Sequence, residues 1–163
     1  PPPSLYAASA AERRLSPEAV HRYLGGLEAI ERRIADAPSA RDAARDLLVA
    51  AALGDTGADT PPGCLLASSL VSSSPEADAV REALADIRRG IEAALRTRIE
   101  RDISAGLLPS GSDAEMLAGH VFAVVQGMST LAKDGAGRTK LMGIADAAMA
   151  GWPVGAASVE HRT

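Results

Sequence analysis

The sequence predicts an all-α fold, a helical bundle. Three observations predict it. Thirty-four of the 163 residues are alanine, the strongest helix former. Only four residues are aromatic, Tyr6, Tyr23, Phe122 and Trp152, whereas strands favour aromatic and β-branched side chains. Apolar residues recur at helical spacing in one segment after another. The length suits a single domain, and about 70% of the unfolded surface can be buried at this size. The net charge of −4 comes without any basic block, so the residues present lack the electrostatic footprint of a DNA reader.

Six helices are expected. Ser16 suits an N-cap and Pro17 a first helical position, and Val20, Leu24, Leu27, Ile30 and Ile34 then share a face up to Ala37-Pro38. Ser39, with Asp42 three residues on, opens a second helix whose apolar face holds Ala40, Ala43, Ala44, Leu47, Leu48 and Ala51. Residues 54–62 are rich in turn formers. The short apolar run 63–71 fits a strand or a buried helix, and the helical surroundings favour the helix.

Ser74-Pro75-Glu76 opens the longest helix, spanning roughly 46 Å to about Ala105. Val80, Leu84, Ile87, Ile91, Leu95, Ile99 and Ile103 line one stripe, the charged residues elsewhere read as a solvated face, and Gly106 is the terminator. Ser112-Asp113-Ala114-Glu115 forms a capping box for the penultimate helix, which Asp134-Gly135 ends. The last helix runs from about Gly137 to Gly151, with Trp152 just past it. Both final helices are apolar on more than one side, which in so small a domain implies a partner helix from another chain. All four methionines, residues suited to irregular interfaces, lie in them.

Little supports catalysis. His21, His120 and His161 are far apart in sequence, Cys64 is the only cysteine, and no phosphate loop or nucleophile elbow occurs. The reading is therefore a non-enzyme with no metal or cofactor. No 18-residue apolar run and no signal peptide open a route to the membrane, and a cytoplasmic location is expected.

A family resemblance sharpens these expectations. Ser4-Leu5-Tyr6-Ala7-Ala8, then Leu15 and Tyr23-Leu24, resembles the end of the TetR-family DNA-binding domain and the start of its connecting helix. Pro61-Pro62-Gly63-Cys64-Leu65-Leu66, Gln126-Gly127-Met128 and Ala132-Lys133-Asp134-Gly135 resemble motifs of TetR-like sensor domains in the same order. The resemblance covers residues 3–152. Ser9 and Glu12 depart from it, standing where the family usually has a packed aromatic and a lysine.

The resemblance implies a DNA-binding transcriptional regulator, usually a repressor, that acts as a homodimer on operator DNA. Residues 1–15 would be the end of a mostly missing helix-turn-helix domain, 16–152 the ligand-binding and dimerisation domain, and 153–163 a flexible tail. Ser4 and Tyr6 would hold the DNA backbone. A small, mostly apolar effector would sit among Leu27, Leu48, Cys64, Ala67, Leu70, Ile87, Ile91, His120 and Val124. The dimer interface would use Leu117, Val121, Gly127, Met128, Leu141, Ala145, Ala148, Met149 and Trp152. The alternative is a helical dimerisation or protein-interaction module with no DNA role.

Overall fold

The computed structural model describes residues 17–57 and 75–155, with side chains described from 27 to 57 and from 81 to 155. These residues form five α-helices and no strand: α1 (Pro17–Asp36), α2 (Ala40–Asp55), α3 (Pro75–Ser104), α4 (Ala114–Lys133) and α5 (Arg138–Ala150). Each coincides with an expected helix to within a few residues. The expected short helix at 63–71 lies outside the described residues.

Local chemistry sets the ends. Ser39 caps α2, its Oγ accepting from the Asp42 N–H at 3.1 Å while its hydroxyl donates to Asp42 Oδ2 at 2.6 Å. At α4 the cap is Asp113, whose Oδ1 accepts from the Met116 N–H at 3.0 Å. The start thus lies one residue beyond the Ser112 position at which a capping box would begin. Two helices close on left-handed glycines, Gly106 (φ 73°) and Gly135 (φ 92°). At each, two backbone bonds wrap the last turn: Leu107 N to Asp102 O (2.9 Å) with Gly106 N to Ile103 O (3.0 Å), and Ala136 N to Leu131 O (2.9 Å) with Gly135 N to Ala132 O (3.0 Å). This is the Schellman pattern, which satisfies carbonyls that the helix leaves open and needs a residue tolerant of positive φ.

Packing joins the helices around one apolar core. α1 lies along α3, while α2 packs against α4 and α5, and α3 against α4. Along α3 the core takes Leu84, Ile87, Ile91, Leu95 and Ile99, all but sealed from solvent. Alanines at 40, 43, 44 and 52 let α2 approach its neighbours closely, and Leu48 fills the space between them. The scarcity of aromatics is thus met by close helix packing on small residues rather than by large side chains.

The chain stays packed just past the end of α5. Trp152 and Gly155 are buried, and a Cβ placed on Gly155 would lie 2.5 Å from the Leu107 carbonyl oxygen. Gly155 therefore lies tight against the turn that follows α3. Gly155→Ala is expected to cost about 1–3 kcal/mol, the range for overpacking at a tight site, and chemical denaturation would measure it.

Candidate functional site

Several of the residues expected to line an effector pocket come together inside the bundle. Leu48, Ile87 and Ile91 are buried in the common apolar core, and Leu27 and Val124 are half-buried against it. Leu27 faces the middle of α3, its two methyls 3.5 Å from where a Cβ on Gly90 would stand. Cys64, Ala67 and Leu70 lie outside the described residues, as do Ser4 and Tyr6. His120 does not join the group. It is exposed on α4, on the side turned away from the core.

The expected dimer interface divides in two. Val121, Met128, Leu141, Ala145, Met149 and Trp152 are at most 6% exposed in a single chain. They are packed in the core of the protomer, so a single chain presents almost none of their surface to a partner. The reason is geometric: Leu117, Val121, Val124 and Met128 form one stripe of α4, and that stripe faces α2, α3 and α5. Leu117 of α4 and Ala148 of α5 are half-buried.

The outward face of these two helices carries a run of uncharged residues. On α4 it runs through Met116, His120, Ala123 and Gly127, each exposed, with Met116 at 62%. On α5 it runs through Gly143, Ala147 and Ala150, also exposed, beside the half-buried Ile144 and Ala148. Spacings of three and four residues align each set on one side of its helix. A Cβ on Gly127 or Gly143 would have no atom within 4 Å. The result is a shallow surface of small residues, the shape that lets helices from another chain approach closely.

Two buried polar clusters escaped the sequence reading. Arg98 and Asp102 of α3 are 6% and 2% exposed and paired at 3.0 Å. Asp102 Oδ2 accepts the Ala40 N–H at 2.6 Å, at the start of α2. Arg98 donates to the carbonyls of Pro38 (2.9 Å) and Ala35 (3.4 Å), at the end of α1. One ion pair therefore binds both sides of the α1–α2 turn. The second cluster ties the far end of α2: the buried Ser129 hydroxyl of α4 donates to Asp55, and Arg138 at the start of α5 donates to the Thr56 hydroxyl and carbonyl, each at 3.1 Å.

Arg98 and Asp102 did carry a signal. They stand seven residues after Ile91 and Leu95, so they continue the α3 core stripe. Nothing similar marks Ser129, whose partner is 74 residues away. Among the described residues, no group of His, Cys, Asp and Glu could hold a metal ion, and no helix is long and apolar enough to cross a membrane.

Comparison with known proteins agrees with this architecture. Residues 42–136 match the family described as "Tetracyclin repressor-like, C-terminal domain". The chain is 28% identical over 153 residues to the HTH-type transcriptional repressor ComR of Escherichia coli (strain K12), covering 93% of this chain and 73% of that protein. Among solved structures, a cysteine-substituted form of the TetR family transcriptional regulator CifR, complexed with 26-base-pair operator DNA, is 35% identical with a TM-score of 0.76, covering 94% of this chain and 81% of CifR. A second operator complex of CifR is 36% identical with a TM-score of 0.75, covering 94% of this chain and 80% of CifR. The helical order, the apolar core and these matches together place the chain in the TetR family of transcriptional regulators.

Proposed function

We propose that this chain is the sensing and dimerising part of a DNA-binding transcriptional regulator, acting as a repressor in the cytoplasm, whose helical bundle takes up a small, mostly apolar effector. The observation that carries the reading is the match, over 94% of the chain, to CifR held on operator DNA. Residues 1–15 are the end of a helix-turn-helix reader, with Ser4 and Tyr6 at the DNA backbone, and residues 16–152 are the sensor. The effector site draws on Leu27, Leu48, Ile87, Ile91 and Val124, with Cys64, Ala67 and Leu70 from the segment after α2. His120 belongs with the outward face of α4 instead.

Two chains associate through the small-residue faces of α4 and α5. Effector binding then favours one spacing of the two readers over another, and half-sites about 34–36 Å apart can be engaged together in only one of them. The connecting helix α1 carries the change.

Footprinting with the complete protein tests the regulatory reading, with a specific protected site expected near its own gene. Absence of any specific site would favour a dimerisation module without a DNA role. Mass spectrometry of the purified protein would identify an effector retained from the cell.

Gly127→Arg tests the association surface. The substitution meets nothing within the protomer, and replacing a mid-helix glycine favours the helix by about 0.5–1 kcal/mol. It is therefore expected to preserve helical content while converting dimers to monomers in light scattering at micromolar concentration.

A further inference from the structure

We propose that Arg98 and Asp102 are positioning residues that set the angle at which α1 leaves the rest of the bundle. The inference begins with the direction of α1. Gly90 of α3 stands opposite Leu27 and Glu31 of α1, and Arg98 reaches Ala35 and Pro38. Both contacts advance along the two chains together, so α1 and α3 run parallel. The only described turn leaving α1 lies at its C-terminal end, at residues 37–39, and the ion pair sits there.

The pair acts on both arms of that turn. Arg98 takes the carbonyls that end α1, and Asp102 takes the first N–H of α2. Both charges are anchored on one rigid helix four residues apart, so each arm is referred to the same frame. Further along, in the middle of α1, the Leu27 methyls and the Glu31 carboxylate lie over Gly90 of α3.

The lever is long. α1 has 20 residues and so spans about 30 Å, and a rotation of about 5° at the elbow moves its Pro17 end by about 2.6 Å. The Arg98 Nε is buried without a hydrogen-bond partner. A buried ion pair adds little net stability over an apolar pair of the same size, so its bonds to both arms of the turn are the feature to be explained. That the angle matters to DNA engagement rests on the proposed regulatory role. The angle itself does not, and it can be measured without DNA.

The test is a distance distribution by pulsed electron paramagnetic resonance. Spin labels are placed at Glu28→Cys on α1 and Leu53→Cys at the far end of α2, both exposed positions, with Cys64→Ser removing the native thiol. Labelled protein is diluted into excess unlabelled protein so that both labels of a pair lie in one chain. A single narrow distance is expected for the otherwise unaltered protein. Arg98→Met with Asp102→Leu is expected to widen the distribution about twofold or shift its mean. Asp102→Asn, which keeps an acceptor for the Ala40 N–H but loses the charge facing Arg98, should fall between.

Leu141→Ala, which weakens the core away from the elbow, is the control and should leave the distance narrow. If the double variant does not fold, Asp102→Asn and Arg98→Lys carry the test with the same readout. Unchanged distributions in all folded elbow variants would overturn the proposal, as would equal widening in Leu141→Ala. Failure of footprinting would overturn the regulatory reading and leave this measurement unaffected.

Discussion

Asp102→Leu alone is expected to lower the unfolding free energy by about 3–5 kcal/mol, the cost of leaving a buried charge without its partner. Two interactions fail together. Arg98 keeps its charge at 6% exposure without the carboxylate that lies 3.0 Å away. The Ala40 N–H loses an acceptor at 2.6 Å. The guanidinium is then held only by the Pro38 and Ala35 carbonyls, which carry partial rather than full negative charge. Adding Arg98→Met removes the stranded charge, so the double variant should be more stable than the sum of the two single losses implies. A coupling energy of about 0.5–3 kcal/mol is expected from the double-mutant cycle. Urea denaturation of the four proteins gives the measurement. An exposed pair such as Arg45 with Asp146, at 3.4 Å with both side chains at least half exposed, should show a coupling of about 1 kcal/mol or less.

Leu141→Ala is expected to cost about 2–5 kcal/mol, the range for a leucine truncated in a packed core. Leu141 has no exposed surface in the single chain, and it sits in the first turn of α5. The loss should appear as a lower denaturation midpoint, with association altered only as far as the protomer unfolds. Gly127→Arg should give the opposite pattern, dissociation with the protomer fold retained. The two substitutions therefore separate the inward from the outward face of the last two helices. If Leu141→Ala dissociated a fully folded protomer, the division between core and interface would be wrong.

That division explains how far the sequence could be read. Helix positions followed from local chemistry. Ser39 and Asp113 cap as their side chains dictate, and Gly106 and Gly135 end helices because positive φ is needed there. The α3 stripe was legible because one face is apolar and the others are charged. α4 and α5 were not legible in the same way. Both their faces are apolar, so periodicity finds two stripes without ranking them, and it does not show that Val121, Met128, Leu141, Ala145, Met149 and Trp152 are packed inside the protomer. His120 lies among apolar neighbours in sequence, yet it turns outward with Ala123 and Gly127.

The polar clusters show the same limit. Arg96 with Glu100 and Arg98 with Asp102 have identical four-residue spacing, but the first pair is about half exposed and the second is sealed. A two-residue step rotates a helical side chain by about 200°, enough to carry it from solvent to the α1–α2 turn.

The sequence by itself determined the helices, their ends, the main core stripe and the family, because these depend on residues near one another along the chain. Only the tertiary structure decided which apolar face of α4 and α5 points inward, and that a buried charge pair holds the α1 elbow. Both depend on which helix lies opposite, and contacts such as Asp102 with Ala40, 62 residues apart, leave no local trace of their partner.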